Sequence, residues 1–133
     1  MGKRSNTELL DLPLNAIKNG NGTVGPCTRQ VACSAEPITF TEANATYALA
    51  DVPMASGDFT VGNGDGSGNT PRKVTVAAKS SVTVDTNGTA THVALLDVTN
   101  SKLLEVTTCT SQVLTAGNTM NFPAWDIEFA APT

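Results

Sequence analysis

A chain of 133 residues is long enough for one domain with a proper core and too short for two of ordinary size. Its net charge of −4, with 15% charged and 5% aromatic residues, excludes a nucleic-acid binder that works through a basic surface, and no apolar run is long enough for a membrane span. Abundant Thr, Val, Ala and Gly suit a β-rich protein with many turns.

The charge is unevenly placed. Residues 1–35 carry four basic and two acidic side chains (+2), residues 36–133 four basic and ten acidic (−6). An arm of one sign on a body of the other can lie on a neighbouring subunit or remain a solvated tail. Within residues 1–35, Leu9, Leu10, Leu12, Leu14 and Ile17 form an apolar cluster, with Pro13 suited to the first position of a short helix. Asn19-Gly20-Asn21-Gly22 and Gly25-Pro26 then break regular structure. We expect a mostly irregular N-terminal arm over residues 1–35 and a β-domain over 36–133. The leucine-bearing segment is the expected interface, docking on a neighbour or covering an open edge of its own domain.

Glu36–Glu42 alternates Ile38 and Phe40 with Thr39 and Thr41, a strand pattern started by Pro37. Ala43–Ala50 reads as a helical turn or an extended link anchored by Tyr47 and Leu49. Asp58–Val61, Arg72–Ala77 and Ser81–Asp85 read as strands, the last two joined by Ala78-Lys79-Ser80. Thr86-Asn87-Gly88 is a turn signal. His92–Val98 and Lys102–Thr108 flank the turn Thr99-Asn100-Ser101 as a hairpin. Taken alternately, His92, Ala94, Leu96 and Val98 share one face and Val93, Leu95 and Asp97 the other, so the hairpin wants cover on both sides. Asp97 and Glu105 read as rim charges. Gln112–Thr115, Thr119–Phe122 and Ala124–Phe129 complete about eight short strands, the pattern of an all-β antiparallel sandwich or barrel.

Chemistry-bearing groups are few. Asn63, Asp65, Ser67 and Asn69 alternate with glycine, and oxygen ligands so spaced can hold calcium, with Asp58 as a supplementary ligand. Counted from Asn63, however, the twelfth position, where an EF-hand loop has its bidentate Glu, is Val74, so a hairpin tip is the preferred reading. His92 is the single histidine; a triad with Asp85 or Asp97 can be drawn on paper, but no G-x-S-x-G elbow accompanies it, and a packed structural role is expected. Cys27, Cys33 and Cys109 lack zinc spacing and are expected reduced, although a Cys27–Cys33 bridge closing a small loop stays open. Trp125 reads as a core anchor whose indole N–H finds a partner. We therefore expect no catalytic residue, no cofactor, and no enzyme.

The phrases F-T-E-A-N-A-T-Y-A-L-A-D (Phe40–Asp51), K-V-T-V-A-A-K-S (Lys73–Ser80), T-A-T-H-V-A-L-L-D (Thr89–Asp97), V-T-T-C-T-S-Q-V-L-T-A-G-N-T (Val106–Thr119) and P-A-W-D-I-E (Pro123–Glu128) resemble small β-rich structural proteins of tailed bacteriophages. The resemblance spans roughly residues 38–130 and includes no catalytic motif. It implies a virion structural protein, in the first place a capsid decoration (cement) protein. Such a protein is made in the host cytoplasm and placed on the head exterior. Its partners would be the major capsid protein and copies of itself, with a trimer expected, and neither nucleic acid nor membrane. The alternative it implies is a tail or fibre component that binds a host-surface glycan.

Overall fold

The structure, a computed structural model, describes residues 15–63 and 72–129. The protein is built of antiparallel β-structure, with nine strands among the described residues: β1 (Arg29–Cys33), β2 (Ala48–Pro53), β3 (Phe59–Asn63), β4 (Arg72–Val76), β5 (Lys79–Thr83), β6 (Gly88–Asp97), β7 (Lys102–Leu114), β8 (Thr119–Phe122) and β9 (Trp125–Phe129). They form a four-stranded sheet in the order β2-β1-β6-β7, a three-stranded sheet β3-β4-β9 and a two-stranded sheet β5-β8. The expected all-β antiparallel class holds, and among the described residues the sheets form no closed barrel.

The four-stranded sheet is the centre of the molecule, and its two faces are covered differently. Along β1, Ala32 points into a core shared with Leu49, Ala90, Val93, Val82, Met120 and Phe122, so the two-stranded sheet packs there. Leu95 of β6 meets Phe59, Val74 and Val76, which brings the three-stranded sheet against the same side. On the opposite face Val31, Cys33, Ala94 and Leu96 pack against Ala43, Phe40 and Tyr47. The alternation of Ala94 and Leu96 with Val93 and Leu95 along β6 therefore feeds two separate cores. Both faces of β6 from Val93 to Leu96 are covered by its own chain.

The cover on the second face corrects one expectation. Glu36–Glu42 is not a strand: Ile38 stands 78% exposed, and the chain turns into a π-helical segment, Glu42–Thr46. Thr39 is the reason. Its hydroxyl accepts the Glu42 N–H (3.1 Å), while the Glu42 carboxylate accepts the Ile38 N–H (3.4 Å) and the Thr39 hydroxyl (3.3 Å). This reciprocal Thr-x-x-Glu bonding satisfies donors that a strand would have had to place in a ladder. The turn then presents Ala43 and Phe40 to the sheet.

The arm expectation for residues 1–35 is also overturned over its described part. β1 is the inner strand between β2 and β6, with Val31, Ala32 and Cys33 fully buried. Its five residues, R-Q-V-A-C, are too few and too mixed to announce a strand. Residues 15–19 form a helical turn that is fixed to the domain: Ile17 is buried with Met54, Phe59 and Val74, and Lys18 Nζ donates to the carbonyls of Ser56 (2.9 Å) and Phe59 (2.6 Å). Gly25 lets the chain pass beneath this turn, since a Cβ there would lie 1.9 Å from the Ala16 carbonyl oxygen. Ile17 thus belongs to the protein's own core, not to an interface, while Leu9, Leu10, Leu12 and Leu14 lie outside the described residues.

Two further differences concern connectivity. β4 and β5 are not hairpin partners; β4 pairs with β3 and β9, and β5 with β8. The Asn87-Gly88 turn likewise marks a change of sheet, with Asn87 Oδ1 accepting the Ala116 N–H at 2.7 Å. Val84 bridges to Ala50 and so fastens the two-stranded sheet to the edge of the central one.

Candidate functional site: a groove beside the edge strand

The hairpin β6-β7 is paired in an irregular register. Leu95 opposes Glu105 and Leu96 opposes Leu103, so Leu104 is an extra residue; Ala90 opposes Gln112 and His92 opposes Thr108, so Thr91 alone faces Cys109, Thr110 and Ser111. Bulges of this kind bend an edge strand and re-aim its side chains. Here the second bulge swings β7 along the rim of a groove.

The groove has a volume of about 370 Å³. Gln30 and Val93, from the inner strands β1 and β6, form its floor. Thr107, Thr108, Cys109 and Thr110 of β7 make one wall, and Phe122, Pro123, Trp125 and Asp126 the other. A second recess of about 180 Å³, bounded by Ala32, Ala90 and Met120, adjoins it and shares Val93, Cys109 and Phe122. The result is an apolar trough with a threonine rim, lying between the four-stranded sheet and the β8–β9 segment.

The floor is polar at one point. Gln30 is fully buried, accepts the Trp125 indole N–H at 2.9 Å and directs its own amide nitrogen at Met54 Sδ (3.8 Å). Trp125 is therefore the core anchor its alternation implied, with its N–H committed and its ring half-buried at the groove wall. Asp126 on the rim bonds Lys73 Nζ at 3.3 Å. Cys109 is partly exposed, and burial raises its thiol pKa above the ordinary value.

The other sequence candidates lie apart from it. His92 is half-buried, with Nδ1 2.9 Å from Thr91 Oγ1. Asp97 sits five residues along the same strand, about 16 Å away at strand rise. Its carboxylate is fully buried and accepts Asn100 N–H (3.2 Å) and Asn100 Nδ2–H (2.7 Å), which closes the hairpin turn. Asp97 is thus a turn-building group and not the rim charge expected, whereas Glu105 is partly buried and has its pKa raised by that burial. Asp58, weighed as a supplementary ligand for a calcium loop, pairs with Lys79 at 2.8 Å and accepts the Ala55 N–H at 2.8 Å. Asn63 closes β3, while Asp65, Ser67 and Asn69 lie outside the described residues. Among the described residues no group of three or more His, Cys, Asp or Glu side chains could hold a metal ion. Cys27 and Cys33 are buried free thiols, not a bridge; burial pushes each up to about 11. No helix among the described residues is long and apolar enough to cross a membrane.

Comparison of the chain with models of known protein families, with curated proteins and with solved structures finds no match.

Proposed function

We propose that the chain is a structural protein of a tailed-phage virion, of the capsid decoration type, and not an enzyme. In this reading it binds the head exterior through the major capsid protein, stabilises contacts between capsomers and works as a homo-oligomer, in the first instance a trimer. The observation that carries the reading is the edge strand β7. It is thirteen residues long, ends the central sheet, and from Val106 to Leu114 holds no charged residue and no proline. Monomeric proteins blunt such edges with lysines, prolines or short strands, because a free edge recruits other chains. Here only the two bulges interrupt it, and Val113 near its end is 77% exposed. A protein whose work is to add contact area between subunits uses an edge of this kind.

Quantitative mass spectrometry of purified particles tests the proposal. A capsid component is expected on the order of hundreds of copies per head, spread over local symmetry axes in a reconstruction. A handful of copies confined to the tail would reject it in favour of the tail or fibre reading. The half-buried Trp125 ring beside threonine hydroxyls is what favours that rival.

A further inference from the structure

We propose that the groove beside β7 receives the segment Leu9–Leu14 of a second copy of this chain, laid along β7 as an added strand. The proposal rests on the reading of the protein as a self-assembling structural component.

Three observations converge on it. First, among the described residues β7 ends its sheet, with β6 on one flank and no described strand of that sheet on the other. A strand added there would gain a backbone ladder and close the mouth of the trough. Second, the trough asks for apolar side chains at more than one point: two adjoining recesses of about 370 and 180 Å³ meet at Val93, Cys109 and Phe122.

Third, L-L-D-L-P-L carries the matching pattern. In an extended chain alternate residues share a face and lie about 7 Å apart. Leu10, Leu12 and Leu14 would then enter the trough while Asp11 and Pro13 face away. The same alternation governs the backbone. Leu10, Leu12 and Leu14 present their N–H and C=O groups to one flank, so the N–H that Pro13 lacks falls on the flank away from β7.

Reach and charge agree with exchange between copies. Ile17 and Lys18 pin the chain to its own domain, and Leu9 stands eight residues before Ile17, a span of about 26 Å when extended, so the segment reaches a copy packed close beside this anchor. Lys3 and Arg4 would lead onto a neighbouring body that carries −6 over residues 36–133, from four basic and ten acidic side chains.

Cys109 in the groove wall supplies the test. Leu10→Cys, Leu12→Cys, Leu14→Cys and Asp11→Cys are made singly in the full chain, each also with Cys109→Ser, and oxidised with copper phenanthroline. At least one of the three leucine variants should give disulfide-linked dimers on a non-reducing gel that vanish with Cys109→Ser, while Asp11→Cys gives none. Only intrachain disulfides, no disulfide from any leucine position, or equal linking of Asp11→Cys would overturn the proposal. Sedimentation of the unaltered protein separates the causes of failure. An oligomer without the linkage rejects the groove alone, and a monomer rejects self-assembly with it. Linkage in a protein missing from the particle rejects the capsid reading and leaves the groove assignment standing.

Discussion

Trp125 donates its indole N–H to Gln30 Oε1 across 2.9 Å, and this bond joins the edge strand of the three-stranded sheet to an inner strand of the central one. The two residues are 95 positions apart in sequence. Because Gln30 is fully buried, its carbonyl oxygen has no water as an easy substitute.

Removing either partner should therefore cost more than the bond's own net strength. Trp125→Phe leaves the Gln30 carbonyl unpaired, and Gln30→Leu leaves the indole N–H unpaired; each should lower stability by about 1–3 kcal/mol in urea unfolding. The double variant should lose less than the sum of the two. Strict additivity would show that the bond does not couple the sheets.

Leu96 tests which surface the hairpin's second face belongs to. It is fully buried with Val31, Cys33 and Ala43, so Leu96→Ala should destabilise by about 2–5 kcal/mol in chemical denaturation. Leu96→Asp should abolish folding, since it puts a carboxylate at a fully buried site packed against Val31, Cys33 and Ala43. A folded but dissociated Leu96→Asp protein would move this face from the core to an assembly contact.

The β6-β7 hairpin was legible in the sequence because period-two alternation on both faces, a polar turn and adjacent partners are all local signals. Trp125 was legible for the same reason. β1 was not, because R-Q-V-A-C is a strand only by virtue of β2 and β6 on either side of it. Glu36–Glu42 reads as a strand because apolar alternation at Ile38 and Phe40 outvotes the Thr39-x-x-Glu42 spacing, a capping signal that is itself present in the sequence. Sheet switching after Ala77 and at Asn87 left no local trace, since turns specify a reversal and not its partner. The groove escaped notice entirely. Its floor, walls and rim come from β1, β6, β7 and the β8–β9 segment, and its shape depends on a bulge that only the pairing register reveals.

Two aspartates give stability opposite dependences on pH. Asp51 has its pKa raised, first by burial and then by a hydrogen bond with Asp85, against a partial lowering by Arg29 3.3 Å away. The folded state holds that proton more tightly than the unfolded chain, so its contribution is fully present below the ordinary carboxylate value and lost as pH rises through the raised one. Burial would raise Asp58 too, but its bonds to Lys79 and the Ala55 N–H outweigh this and lower it. Its contribution is present above the ordinary value and lost as pH falls through the depressed one. In Tm curves between about pH 3 and about pH 8, Asp51→Asn should flatten the decline on the neutral side and Asp58→Asn the loss on the acid side. Unchanged slopes in both variants would show that neither carboxylate is linked to folding.

Thiol reactivity should rank the three cysteines by their surroundings. Cys27 and Cys33 are buried, their Sγ atoms directed at the carbonyls of Arg29 (3.4 Å) and Ala43 (3.9 Å), and burial holds each pKa up at about 11. At neutral pH the thiolate that attacks a labelling reagent is scarce at both, and the reagent cannot reach it without local opening. Cys109 is also shifted upward by burial, but it lines the groove and is partly exposed. Native protein treated with iodoacetamide should therefore be modified first at Cys109, with Cys27 and Cys33 reacting only on unfolding, as peptide mass spectrometry can read. Simultaneous labelling of all three in the native protein would place the β1 region outside the cooperative core. The pattern also bears on assembly: a segment seated against Cys109 must slow its labelling in the oligomer. Dilution to monomer should restore the faster rate, because the groove wall would then be open to the reagent.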